Sequence, residues 1–223
     1  MQTLYQKLTI YLLTFFVFTS IITNNLSAQT TTQSPEEFLN FKKGERFLRH
    51  HQVVSYYEYI ARQYPNQVKM IPYGSTNEGR PLMVVVIASP ENFTQLEEIR
   101  TNNLKSIGLM EGKPTKKQPA IAWLSYNVHG NESCSSNTAP FTLYELLNKT
   151  NERSKSILSN SIVILDPCIN PDGYDRYVNF YNQKVGGIYN PTPSAIEHNE
   201  PYLSYKIHFH EHYNSTKQWQ VVS

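Results

Sequence analysis

Four residues, His129-Gly130-Asn131-Glu132, set an imidazole and a carboxylate three positions apart with a glycine between them. One nitrogen and one oxygen donor on so short a loop can converge on a single divalent ion, and zinc is the natural candidate because it accepts His and Glu together. Alone, an HxxE spacing is also what an ordinary solvated loop contains. Its place in the chain adds weight. The preceding run Ile121 to Tyr126 (IAWLSY) is short, mostly apolar and bounded by Pro119, which reads as a strand covered on both faces. From Ser135 onward Phe141, Leu143, Tyr144 and Leu147 recur at three- and four-residue steps, a helical period with Pro140 expected in the first turn. His129 and Glu132 thus fall at the carboxyl end of a strand, the edge where open α/β sheets bind their ligands.

Two later stretches join this one. Ser161 to Leu165 (SIVIL) reads as a β-branched strand followed by Asp166 to Gly173 (DPCINPDG), in which Asn170-Pro171-Asp172-Gly173 carries the side chains of a tight turn. That turn also follows a strand, so both loops can face one crevice. Near the end, IHFHEHY places His208, His210 and His212 on alternate positions, where they are either a metal-binding face or a solvated strand end. Cys134 and Cys168 each lie two residues from one of the two loops; they are either a disulfide pinning the loops together or two free thiols.

The elements that must position these loops are readable around them. Phe47 to Tyr64 has a helical period ended by Pro65 and Asn66, and Val68 to Tyr73 and Leu82 to Ala88 read as strands joined by the turn-rich GSTNEGRP. The second of these, apolar on both faces, is expected to be central. Pro90 to Gly112 reads as a surface helix and loop, and Gly186 to Pro201 as an irregular excursion. Lys7 and the apolar run Leu8 to Ile22 have the make-up of a secretory signal cut after Ala28, so the expected organisation is a signal over 1–28, a linker over 29–46 and one domain over 47–223. The mature protein is then exported, periplasmic or extracellular, with no stable membrane span after cleavage. A net charge of +2 on 20 basic and 18 acidic residues gives nucleic acid no electrostatic foothold.

Together, GSTNEGRPL, the strand leading into HGNE and the strand leading into NPDG resemble the carboxypeptidase A-like zinc peptidases, the metallocarboxypeptidase family, over about Phe47 to Pro201. The resemblance implies an α/β fold with a mixed, mainly parallel sheet sandwiched by helices, incomplete at its C-terminal end. It implies hydrolysis of peptide and protein C-termini with one zinc ion, whose first two ligands map onto His129 and Glu132. The family's third ligand, a His on a later strand, maps onto His210, which follows His129 by only 81 residues. A deletion between Glu200 and Lys206, a frameshift, a misjoined gene model or chance would each account for that interval. The family's catalytic Glu, its closing Tyr and its Asn-Arg pair have no counterpart, and Arg176 is the last Arg in the chain and takes neither Arg role. No catalytic residue is therefore identifiable, and the expectation is a family member impaired or inactive as given. Two other readings use the same features: an amidohydrolase of the aspartoacylase or desuccinylase type, which shares the fold and an HGxE motif, and a non-catalytic peptide- or wall-binding module.

Overall fold

The computed structural model describes residues 32–115, 118–186 and 190–199. In chain order these form helix α1 (Pro35–Leu39), helix α2 (His50–Gln63), strands β1 (Val68–Ser75) and β2 (Pro81–Ile87), helices α3 (Pro90–Thr94) and α4 (Leu96–Ser106), strand β3 (Ala120–Ser125), helices α5 (Cys134–Leu146) and α6 (Glu152–Asn160), strand β4 (Ser161–Asp166) and helix α7 (Pro171–Lys184). A short 3-10 turn follows at Ile196–His198. The expected signal over 1–28 and the segment containing His208, His210 and His212 lie outside the described residues.

The sheet is mixed, with strand order β1-β2-β4-β3 among the described residues. β1 and β2 form the expected antiparallel hairpin, β2 pairs antiparallel with β4, and β3 runs parallel to β4. The parallel pairing therefore joins the two strands that lead into the candidate loops. Helices cover both faces. On one, Val85 and Ile87 of β2 and Val163 and Leu165 of β4 pack against Val53, Tyr57 and Ile60 of α2, Ala139 and Leu143 of α5, and Leu158 of α6. These positions recur at three- and four-residue steps along each helix, so one stripe of each is buried. Tyr57 is fully buried, and its hydroxyl satisfies itself on the Ala139 carbonyl at 3.0 Å, which ties α2 to α5. On the opposite face Val86, Ala88 and Ile162 meet Ile99 of α4, with Phe93 and Leu96 beside them.

Three expectations are corrected here. Residues 33–46, expected as linker, pack onto the domain: Ser34 caps α1 through a reciprocal box with Glu37, Phe38 stacks on Tyr59 at 4.7 Å, and Phe41 belongs to the core. β3, expected to be covered on both faces, has all six residues exposed. It has one neighbour, β4, among the described residues, and beside it the sheet face opens into an apolar groove of about 550 Å³ lined by Ile71, Val84, Phe93, Ile121, Trp123 and Ile164. Pro140 stands in the second turn of α5 rather than the first, because the helix begins at Cys134.

Leu143 has no exposed surface and is central to the larger core. Leu143→Ala should lower unfolding stability by about 2–5 kcal/mol through lost burial and the cavity left behind, read from the urea midpoint at an unchanged slope.

Candidate metal centre

β3 and β4 stay in parallel register to their last residues, Ser125 opposite Asp166. The ladder continues past both strands: the Tyr126 amide donates to the Asp166 carbonyl at 3.0 Å, and the Ile169 amide to the Tyr126 carbonyl at 2.9 Å. Parallel pairing delivers both following loops to one edge of the sheet, as their place in the sequence implied.

The first loop turns at Asn127, whose φ of 61° lies in the left-handed region that Asn tolerates better than other side-chain-bearing residues. Its buried amide donates to two carbonyls, of His129 at 3.1 Å and of Glu132 at 3.2 Å. The Glu132 amide closes the turn on the His129 carbonyl at 3.0 Å, and the Ser135 hydroxyl donates to the Glu132 carbonyl at 2.9 Å, leading into α5. His129 and Glu132 are both exposed at the two ends of this turn. Glycine at 130 was the expected pivot; the structure gives the unusual backbone conformation to Asn127 instead, and Gly130 is buried.

The second loop is a helix start rather than the expected β-turn. Asn170 is the N-cap of α7, Pro171 occupies its first turn, and the Gly173 amide donates to Asn170 Oδ1 at 3.1 Å. The remaining Asn170 group, Nδ2, donates to the Val128 carbonyl at 3.1 Å, directly before His129. Asn170 is completely buried, and a Cβ on Gly173 would stand 2.7 Å from its Nδ2, so only glycine leaves room for this side chain. Two further contacts seal the loops together: Ser136 Oγ donates to the Pro167 carbonyl at 2.7 Å, and Cys168 Sγ lies 3.6 Å from Asn127 Oδ1. α7 itself was missed from sequence, although an Asn cap, a Pro at the first helical position and Tyr174, Tyr177, Val178 and Tyr181 at helical spacing announce it.

GSTNEGRP, the β1–β2 connection, is fastened to the same helix start. Asp172 accepts from Thr76 Oγ1 at 2.7 Å and from Arg80 Nη1 at 2.7 Å; Asp175 accepts from Arg80 Nε at 3.1 Å and from the His50 amide at 2.8 Å. Arg80 is thus committed to two buried carboxylates and holds the loops together.

A family model described as zinc carboxypeptidase matches residues 53–218, well over half of the chain. The chain belongs to the zinc carboxypeptidase family. Among solved structures it is similar to thrombin activatable fibrinolysis inhibitor (17% identity, TM-score 0.47, covering 69% of this chain and 31% of that one). It is likewise similar to carboxypeptidase A from Helicoverpa armigera (17%, 0.45, 66% and 29%) and to a metallo-carboxypeptidase from Burkholderia cenocepacia (17%, 0.41, 56% and 27%). The chain spans about a third of the length of these structures.

For a zinc carboxypeptidase, the donor chemistry of this turn fits its metal in kind: one imidazole and one carboxylate, both exposed at the sheet edge. Among the described residues no third His, Cys, Asp or Glu joins them, and His210 lies outside those residues. Both thiols are free; Cys168 is buried, while Cys134 is exposed two residues after Glu132.

Asn170→Ala should cost about 2–4 kcal/mol, because it removes a helix cap and the bond to the half-buried Val128 carbonyl. Arg80→Met should cost about 3–5 kcal/mol by leaving Asp172 and Asp175 uncompensated. Denaturant titration of each variant measures both losses, and the Asn170 variant alone should also speed amide exchange across residues 127–132.

Proposed function

We propose that His129 and Glu132 are two of the three protein ligands of a single zinc ion and that His210 is the third. The observation that carries this reading is the HGNE turn itself, closed by its own backbone and held from two sides by the buried amides of Asn127 and Asn170. Two donors set on so fixed a turn are placed before the ion arrives, which is what a catalytic site requires of its scaffold. The family match supports His210, since it continues to residue 218. The same match favours the peptidase reading over an amidohydrolase of the aspartoacylase or desuccinylase type.

When bound, zinc would supply Lewis-acid polarisation of a peptide carbonyl and of water at its open position. The substrates are the C-termini of peptides and proteins. What the chain's own residues do is hold the ion at the rim and orient the rim loops. Among the described residues Arg80 is not available as a clamp for a terminal carboxylate, because Asp172 and Asp175 engage it. The apolar run Leu8 to Ile22 supports export to a periplasmic or extracellular location. No helix among the described residues is long and apolar enough to cross a membrane.

Equilibrium dialysis followed by metal analysis tests this directly. The chain should take up one zinc ion, and His129→Ala, Glu132→Gln and His210→Ala should each weaken uptake by about tenfold or more. The same sample should release no C-terminal residue from hippuryl peptides. Undiminished zinc binding by the His129 and Glu132 variants would overturn the assignment.

A further inference from the structure

Tyr73 is the residue that a bulge leaves out of the β1–β2 register: Pro72 stands opposite Met83 and Gly74 opposite Leu82, with no β2 partner for Tyr73 between them. Bulges of this kind re-aim a side chain. Here the phenol crosses β2 to β4, and its hydroxyl donates to Asp166 Oδ2 at 2.7 Å. Asp166 ends β4 at 1% exposure; its other oxygen, Oδ1, has no well-formed hydrogen bond, with only the Cys168 amide lending it weak support. No cation pairs with it among the described residues. The titratable groups facing it are Tyr73 from β1, Tyr57 from α2 and Cys168 from the following loop; burial is the main force raising the pKa of each, so all three stay neutral near neutrality. The main chain of Asp166 meanwhile carries the metal turn, through its carbonyl bond from Tyr126.

We infer that Tyr73 and Asp166 form a proton-operated latch, which clasps the β1 bulge to the end of β4 while the carboxyl is neutral and opens to water when it ionises. A buried carboxylate with one strong hydroxyl donor, a weak amide contact and no cation beside it among the described residues is the more costly of its two forms. Burial accordingly pushes Asp166 up to about 6, against the help of the Tyr73 hydroxyl and the Cys168 amide. Because the closed-state value lies above the ordinary one, the latch is fully engaged at low pH and is lost as pH rises through about 6. Its neighbour in the ladder is Tyr126, three residues before His129, so an open latch loosens the stem of the metal turn without touching either ligand.

Hydrogen exchange on the metal-free full chain tests this, so its outcome does not depend on zinc binding. After correction for intrinsic rates, residues 70–76 and 164–170 should open about tenfold more often at about pH 7.5 than at about pH 5. Asp166→Asn should stay closed at both, and Tyr73→Phe, which keeps the ring and loses the donor, should open more at both. An identical pH response in wild type and Asp166→Asn would overturn the latch, as would an Asn variant open at every pH. Should the Asn variant fail to fold, infrared spectroscopy of the wild type decides: the band of a protonated buried carboxyl should vanish between about pH 5 and about pH 7, and its absence at the lower pH contradicts the inference.

Discussion

The side-chain amide of Asn170 is the bond on which the candidate site depends. Completely buried, it spends its oxygen on the first turn of α7 and its nitrogen on the Val128 carbonyl, and so joins the ends of two parallel strands at one point. A buried amide with both ends engaged is costly to disturb, because whatever replaces it loses bonds to the backbone on both sides. Gly173 exists in this arrangement to make room for it. The signature residues of the two loops are for the most part carpentry. His129 and Glu132, by contrast, are exposed.

Around that joint a second layer resists motion by charge. Asp172 and Asp175, both on the first turns of α7, hold Arg80 between them and anchor the β1–β2 connection and the start of α2. The network is largely buried, where paired charges and hydrogen bonds fix geometry more than they add stability. One helix start thus gathers the chain from residue 50 to residue 175. The Tyr73–Asp166 contact lies beside this assembly, where the sheet delivers its strand ends, and among the described residues no cation pairs with the carboxyl.

Much of this was legible in the residues. The hairpin, the β4 strand, the α5 helix and the convergence of two loops at a sheet edge follow from apolar periodicity and from parallel pairing. The NPDG stretch deceived because Asn, Pro, Asp and Gly serve a tight turn and a capped helix start equally well; only the tyrosine spacing beyond Gly173 separates the two. β3 deceived in another way: Ile121, Trp123 and Leu124 are what a doubly covered strand contains, yet each is 40% or more exposed, and Ile121 and Trp123 line a groove on the open face. The unusual backbone conformation falls on Asn127 rather than Gly130, and the ties of Arg80 to Asp172 and Asp175 could not be read from sequence, because hydrogen-bond partners distant in sequence leave no local trace. Part of the expected 29–46 linker packs instead, through Phe38 and Phe41.

The most direct test of the account is X-ray absorption at the zinc edge on the metal-loaded chain. His129 and Glu132 on one turn require a first shell of light atoms alone, imidazole nitrogen and carboxylate oxygen at about 2.0–2.2 Å. Cys134, exposed two residues beyond Glu132, offers the competing donor. A zinc–sulfur distance of about 2.3 Å would contradict the claim that this turn holds its metal through His129 and Glu132.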